Sequence, residues 1–520
     1  MAKKIKLVPL IIILSLIIGG EGLAQERQTL LLSLDDCIRH ALENNLQLAI
    51  EVYNPEIAEA QLVQAREMFL PQFDLSFGSR NTEEPSYWWI QGAETIKSDL
   101  NQYSIAVKQK IPTGGNFTLS LNSYRSSTNQ AFQLINPRYG STLQVDFTQP
   151  LLRGFGYKIS RKEIIIAQNN LDISEKQFKA VLLETIYKVE EVYWNLVYAE
   201  EDYQVKLDSL KLAQASLEKT QKEAKLGKIA PIEVLNAQAT VAQREAELLQ
   251  AETLVAQRED ALRDILNLPE EDKLPPCLKP KDRPRFEPQE IPLEEAIQQA
   301  LLKRPELQSQ QKLIESNRLN FSFARNQLLP GLDLNISYWS PGVSGDRLLY
   351  LNDNPFLGII VGKEKGSASG SLKDAFNLKY KNWAVSLTLS LPLSNVLTRA
   401  EYVRNRLELE KSQLALKELE RQIRLEVKNA VREIKSAAKK VEAFRTAREW
   451  AEKRLKAEER KLQLGLTTNF FVFQYQSELA AARSQELKSI VDYEIAWAKL
   501  EKAMGISLEK KNIRLPRFSQ

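Results

Sequence analysis

Histidine and cysteine are almost missing from this 520-residue chain: His40 stands alone, and Cys37 and Cys277 are the only thiols. Without a second histidine, or cysteines at metal-ligand spacing, a metal centre and histidine-based catalysis lack their residues. No glycine-rich loop precedes a helix opening on Lys-Ser or Lys-Thr, so phosphate-loop nucleotide hydrolysis is not encoded. No enzyme site and no cofactor is predicted. Charge of one sign is equally scarce. The 71 Lys and Arg nearly balance the 67 Asp and Glu, the net +4 is spread through mixed Lys/Glu helices, and nucleic acid is not an expected partner. After residue 25 no apolar run reaches the roughly eighteen residues that a transmembrane helix needs. Any passage through a membrane must then be made by strands.

From Tyr157 to Leu226 the chain has neither proline nor glycine. At roughly 1.5 Å per residue, these about seventy residues make a helix on the order of 100 Å long. No globular core is that wide. The run breaks at KLGKIAPIEVL, where Gly227 can end a helix and Pro231 suits the first turn of the next, which returns to about Leu268. A long helical hairpin results. At the N-terminus, Lys3, Lys4 and Lys6 precede an apolar run from Leu7 to Ile18, and Gly22-Leu23-Ala24 supplies small residues, so 1–24 reads as a signal peptide cleaved after Ala24. No cysteine lies just after the cleavage point, so the mature chain is expected to be unlipidated. An oxidising compartment would permit Cys37 and Cys277 to pair; two inert thiols is the alternative.

Leu34 to Leu70 reads as a helix capped by Ser33, with Asp35 and Asp36 in its first turn, and it stops at Pro71. The period then changes to two. Phe73, Leu75 and Phe77 alternate with polar residues, and after a polar stretch from Arg80 to Asn101, read as a loop holding Trp88 and Trp89, alternation returns. Tyr103 to Lys110 and Phe117 to Ser123 form an expected hairpin about the turn PTGGN. A further strand, Leu143 to Thr148, ends at Pro150 in QPLLRGFG.

The pattern then repeats. IPLEEAIQQALLKRPELQSQ from Ile291 matches the stretch from Leu32 at a constant offset of 259, which carries residue 34 to 293, Pro71 to Pro330 and Asp74 to Asp333. Further strands follow at Leu332 to Tyr338 and Trp383 to Leu391, ending at Pro392. A second long helix, from about Thr398 to Leu464, turns at Gly465 and returns to Met504. The expected organisation is therefore signal peptide 1–24, first repeat 25–268, a Pro-rich charged linker 269–290, second repeat 291–506 and a tail 507–520. Helices of about 36 residues stacked in pairs match one of about seventy. Leu182, Ile186, Val189, Tyr193 and Leu196, and Ile423, Val427, Ala430, Ile434, Ala437 and Val441, step by four and three as lengthwise seams.

The fold class read from these periods is mainly α with a smaller β part, which the following resemblance makes a β-barrel part. The duplicated junctions at Pro71 and Pro330, the re-entry QPLLRGFG and the two turns together resemble the outer membrane efflux protein family, the TolC-like channel-tunnels, across essentially the whole mature chain. The resemblance implies a homotrimer in the outer membrane of a diderm bacterium, with strands of three chains closing one barrel and helices forming a periplasmic tunnel. It implies outer-membrane lipid, a periplasmic adaptor and an inner-membrane pump as partners, in efflux or type I secretion. It places Gly227, Pro231 and Gly465 at the periplasmic tips and puts Glu233, Asn236, Phe471 and Gln474 at the candidate pore constriction. Relatives like TolC carry four strands per chain; here four and six both stay open. Glu233 reads either as part of a carboxylate ring or as a solvated first-turn residue, and Phe470, Phe471 and Phe473 as a gate or as packing. Trp88 and Trp89 read as an interfacial belt or as an outer cap. A periplasmic coiled-coil adaptor or scaffold without a pore is the second functional reading.

Overall fold

The computed structural model describes residues 29–227, 229–268 and 277–513. The expected signal peptide, residues 269–276 of the linker and residues 514–520 of the tail lie outside the described residues. In chain order the first copy gives β1 (Thr29–Leu32), α1 (Leu34–Asn44), α2 (Leu46–Glu67), β2 (Gln72–Pro85), β3 (Thr95–Lys110), β4 (Asn116–Thr128), β5 (Ile135–Pro150), α3 (Tyr157–Ser160), α4 (Lys162–Lys225) and α5 (Pro231–Leu266). After β6 (Cys277–Pro280), the second gives α6 (Leu293–Lys303), α7 (Pro305–Gln327), β7 (Gly331–Tyr350), β8 (Ile360–Glu364), α8 (Ala368–Phe376), β9 (Asn382–Ser390), α9 (Val396–Gln463), α10 (Asn469–Met504) and α11 (Ser507–Lys510).

The helix preceding the sheet is divided in both copies. The reading of Leu34 to Leu70 as one helix gives way to α1 and α2, because Asn45 takes an extended backbone and its side chain accepts from the Leu48 amide at 3.1 Å. Its counterpart 259 positions on is Arg304, extended because Pro305 follows and opens α7. The loop expected from Arg80 to Asn101 is also corrected. β2 and β3 stay paired from Gln72↔Lys108 to Pro85↔Thr95, leaving only 86–94 between them. Polar cross-strand contacts replace the missing apolar alternation: Ser79 to Asn101 at 2.7 Å, Asn81 to Asp99 at 2.5 Å and Lys97 to Glu83 at 3.0 Å.

The chain divides into two compact units, each drawing on both copies. Of the described residues one holds 41–191, 285–449 and 488–513. Its core joins Ala296, Ile297 and Ala300 to the seam Ile423, Val427, Ala430, Val431, Ile434 and Val441 and to Leu500 and Ala503. Buried Arg304 ties the helices together, pairing with Glu306 and Glu426 at 3.1 Å each and donating to the Ala503 carbonyl. Of the described residues the other unit holds 29–40, 192–227, 229–268, 277–284 and 450–487. In it β1 and β6 form a parallel pair, and the Tyr193 hydroxyl, fully buried, donates to Asp282 at 2.9 Å while Asp282 accepts the Leu34 amide at 2.7 Å.

Candidate functional site: membrane sheet and hairpin tips

Among the described residues seven strands form one antiparallel sheet in the order β2-β3-β4-β5-β7-β8, with β9 also on β7. β8 meets only the far end of β7, at 347–350, so six strands run side by side over the main ladder. The expected hairpin of β3 and β4 is therefore part of the wall. Registers align its faces. Phe73, Val107, Leu119, Val145, Tyr338 and Trp383 follow one row, and Leu75, Ile105, Leu121 and Leu143 the next, all on one side. The opposite side is hydroxyl and amide: Ser76, Ser104, Asn122 and Thr142 in one row, with Lys108 and Asp74 paired at 2.9 Å beside it. An exposed apolar face backed by a polar one is the pattern of a barrel wall between lipid and water.

At the lower end of the sheet, Pro71 and Pro330 stand directly before β2 and β7, Pro150 closes β5, and Pro392 lies between β9 and α9. The re-entry QPLLRGFG turns on Gly154 and Gly156, whose φ values of 83° and 116° suit glycine, and Asn326 accepts the Gly154 amide at 2.7 Å. Trp88 and Trp89 sit at the top of the β2–β3 hairpin, eleven and twelve positions beyond Phe77, with polar strand between.

In the other unit both hairpin turns close on glycine. Gly227 and Gly465 each have φ 71°, a left-handed backbone that a side chain would strain. Pro231 is the first residue of α5, and Glu233 lies in its first turn with Oε2 buried and without a hydrogen-bond partner among the described residues. Asn236 is half-buried; its carbonyl accepts from Thr240. On the second tip Phe473 is buried, whereas Phe470 and Phe471 remain exposed and pack edge-on at 5.5 Å. Exposed Gln474 donates to Glu478 at 3.2 Å. The tips meet where Asn469 donates to Thr220 at 3.4 Å. Sequence reasoning missed Glu458, a buried carboxylate that accepts from Thr467 at 2.6 Å and pairs with Lys461 at 3.0 Å, fastening the second turn. These two hydrogen bonds hold its carboxyl below the usual range.

The bridge left open for Cys37 and Cys277 is not made; both are free thiols. Cys277 stands opposite Thr29 in the β1–β6 pair and donates to Glu259 at 2.9 Å, whereas Cys37 lies within α1. Burial, then Glu259, pushes the Cys277 thiol up to about 11; burial, then Asp36 and Asp282, pushes Cys37 up to about 12. Glu200, Glu259 and Cys277 bring ligand-type atoms within 4.8 Å of one another, but Cys277 and Arg263 already engage Glu259.

The outer membrane efflux protein model matches 116–268 and 296–506, so it takes in the larger part of both copies. The chain belongs to this family. It is an outer-membrane channel extending into the periplasm, not an enzyme, and the pore-free adaptor reading falls with that assignment. Solved structures share the fold. A membrane protein from Pseudomonas aeruginosa superposes with a TM-score of 0.63 at 16% identity, covering 91% of this chain and 93% of the other. The Campylobacter jejuni CmeC outer membrane channel gives 0.61 at 15%, covering 91% and 85%. VceC, an outer membrane protein of Vibrio cholerae, gives 0.58 at 15%, covering 91% and 96%. Comparison with curated proteins returns no match.

Proposed function

We propose that three copies of this chain close one barrel and serve as the passive exit duct of a tripartite efflux or type I secretion system. The carrying observation is the open sheet. β2 and β9 are its unpaired edges along the main ladder, and lipid does not tolerate the exposed backbone groups of such edges. Pairing β2 of one copy with β9 of the next removes both, and three copies of six strands make eighteen. A periplasmic adaptor and an inner-membrane pump would supply the cargo and the energy. Three Glu233 carboxylates would form a ring at the tips, and three pairs of Phe470 and Phe471 rings an apolar constriction.

Single-channel recording in a planar bilayer tests this, with Glu233→Gln and Phe471→Ala beside the unaltered protein. A long-lived conductance is expected, with weaker cation preference for Glu233→Gln and a larger current for Phe471→Ala. Trimers that insert yet conduct nothing in all three proteins would overturn the duct.

A further inference from the structure

Along β7 the lipid-side residues are Leu332, Leu334, Ile336 and then Tyr338, which is paired with Trp383; the next three on that face are Ser340, Gly342 and Ser344, with Asp346 following. α8 lies on that shelf. Ser371 is buried with its hydroxyl 2.9 Å from Ser141, Ser344 donates to the Ser367 carbonyl at 2.7 Å, and a Cβ on Gly342 would come within 2.0 Å of the Ser371 carbonyl. Small residues thus let a nine-residue helix seat itself on the outside of the wall, immediately beyond the aromatic end of the apolar band. That is the level of the outer-leaflet head groups.

The exposed side chains of α8 and of the segments flanking it suit that place. Phe376 and Tyr380 are exposed, as are Lys365, Lys373 and Lys381, none of which forms an ion pair among the described residues. From Val361 to Trp383 there are five lysines, 363, 365, 373, 379 and 381, against Glu364 and Asp374; Lys363 pairs with Asp346 and Lys379 with Asp374, each at 2.9 Å, which leaves 365, 373 and 381. Exposed rings beside three ammonium groups without an ion-pair partner among the described residues match a lipid that carries phosphates next to its acyl chains.

We propose that α8 and the segments flanking it bind the phosphorylated head group of an outer-leaflet glycolipid of the lipid A type, fixing the barrel's depth. The inference rests on the outer-membrane assignment but not on the duct. The probe is diphosphoryl lipid A, added to the full-length protein in phosphatidylcholine nanodiscs and scored by native mass spectrometry against lipid A stripped of phosphate. The variant is Lys365→Ala/Lys373→Ala/Lys381→Ala, with Lys411→Ala/Lys417→Ala on α9 as the control. Retention of diphosphoryl lipid A should fall at least about tenfold in the triple variant only, and phosphate-free lipid A should bind both proteins equally weakly. Equal retention by the triple variant and the unaltered protein would overturn the proposal. So would a triple variant whose trimers weaken in detergent free of lipid A, because the lysines would then be contacts to a neighbouring copy. Failure of the protein to reach the outer membrane would instead strike the assignment beneath it.

Discussion

Thr467 donates a 2.6 Å hydrogen bond to Glu458, nine residues back across the second turn. The contact fastens the segment that carries Phe470 and Phe471. Because the folded carboxyl sits below its usual 4.5, its contribution is complete above that value and is lost as the pH falls through the lowered one. Glu458→Gln or Thr467→Val should expose 464–468 to limited proteolysis at pH 7. In the unaltered protein the same cleavage should appear only under acid conditions, with an acid-stable protease as probe. Equal cleavage of all three proteins at pH 7 would count against the fastening role.

Tyr193 and Asp282 hold β1, β6 and the start of α1 together through a hydroxyl with no access to water. Tyr193→Phe leaves Asp282 short of one donor, which should cost about 1–2 kcal/mol. Thermal unfolding measures the loss. Hydrogen exchange should rise first at the Leu34 amide and along the β1–β6 pair, while the sheet of β2 to β9 stays protected.

The thiols offer a pH test. With Cys277 at about 11, only about one thiol in a thousand is ionised at pH 8, and Cys37 is lower still. Iodoacetamide should therefore label neither in the folded protein and both after denaturation. Both groups are raised, so their contribution is complete below the ordinary value of 9 and lost as pH rises towards 11 and 12. A reducing agent should leave the melting temperature unchanged, since there is no bridge to break.

The seam Leu182, Ile186, Val189, Tyr193 and Leu196 was legible because burial every three or four residues leaves a period in the sequence, and all five are buried. Duplication made Pro71 and Pro330 legible in the same way. The upper half of β2 was not, since residues such as Asn81 and Glu83 pair across strands without an apolar face to set a period. α8 was hidden among glycines and serines whose smallness matters only once Gly342 and Ser371 meet. Contacts such as Asn469 to Thr220, 249 positions apart, leave no local trace.

Whether the inserted hairpin stays in the wall within a membrane can be read from cross-strand disulfides in a Cys37→Ser/Cys277→Ser background. Ser76 faces Ser104 in the β2–β3 ladder, and Asn122 faces Thr142 in the β4–β5 ladder, so cysteines placed at either pair should oxidise within one chain. Ser76 and Thr142 are three ladder spacings apart, roughly 14 Å, and cysteines there should not join. The reverse pattern, bridging between 76 and 142 alone, would mean that β3 and β4 leave the wall and β2 pairs with β5, giving four strands per chain. Mobility on non-reducing gels from outer-membrane fractions reports either outcome. With six strands retained, the eighteen-stranded lumen should be about 1.5 times as wide as a twelve-stranded one, because barrel diameter grows roughly in proportion to strand number. Polymer exclusion from the extracellular side would then admit correspondingly larger polyethylene glycols than a variant in which residues 86–134 are removed and β2 runs directly into β5.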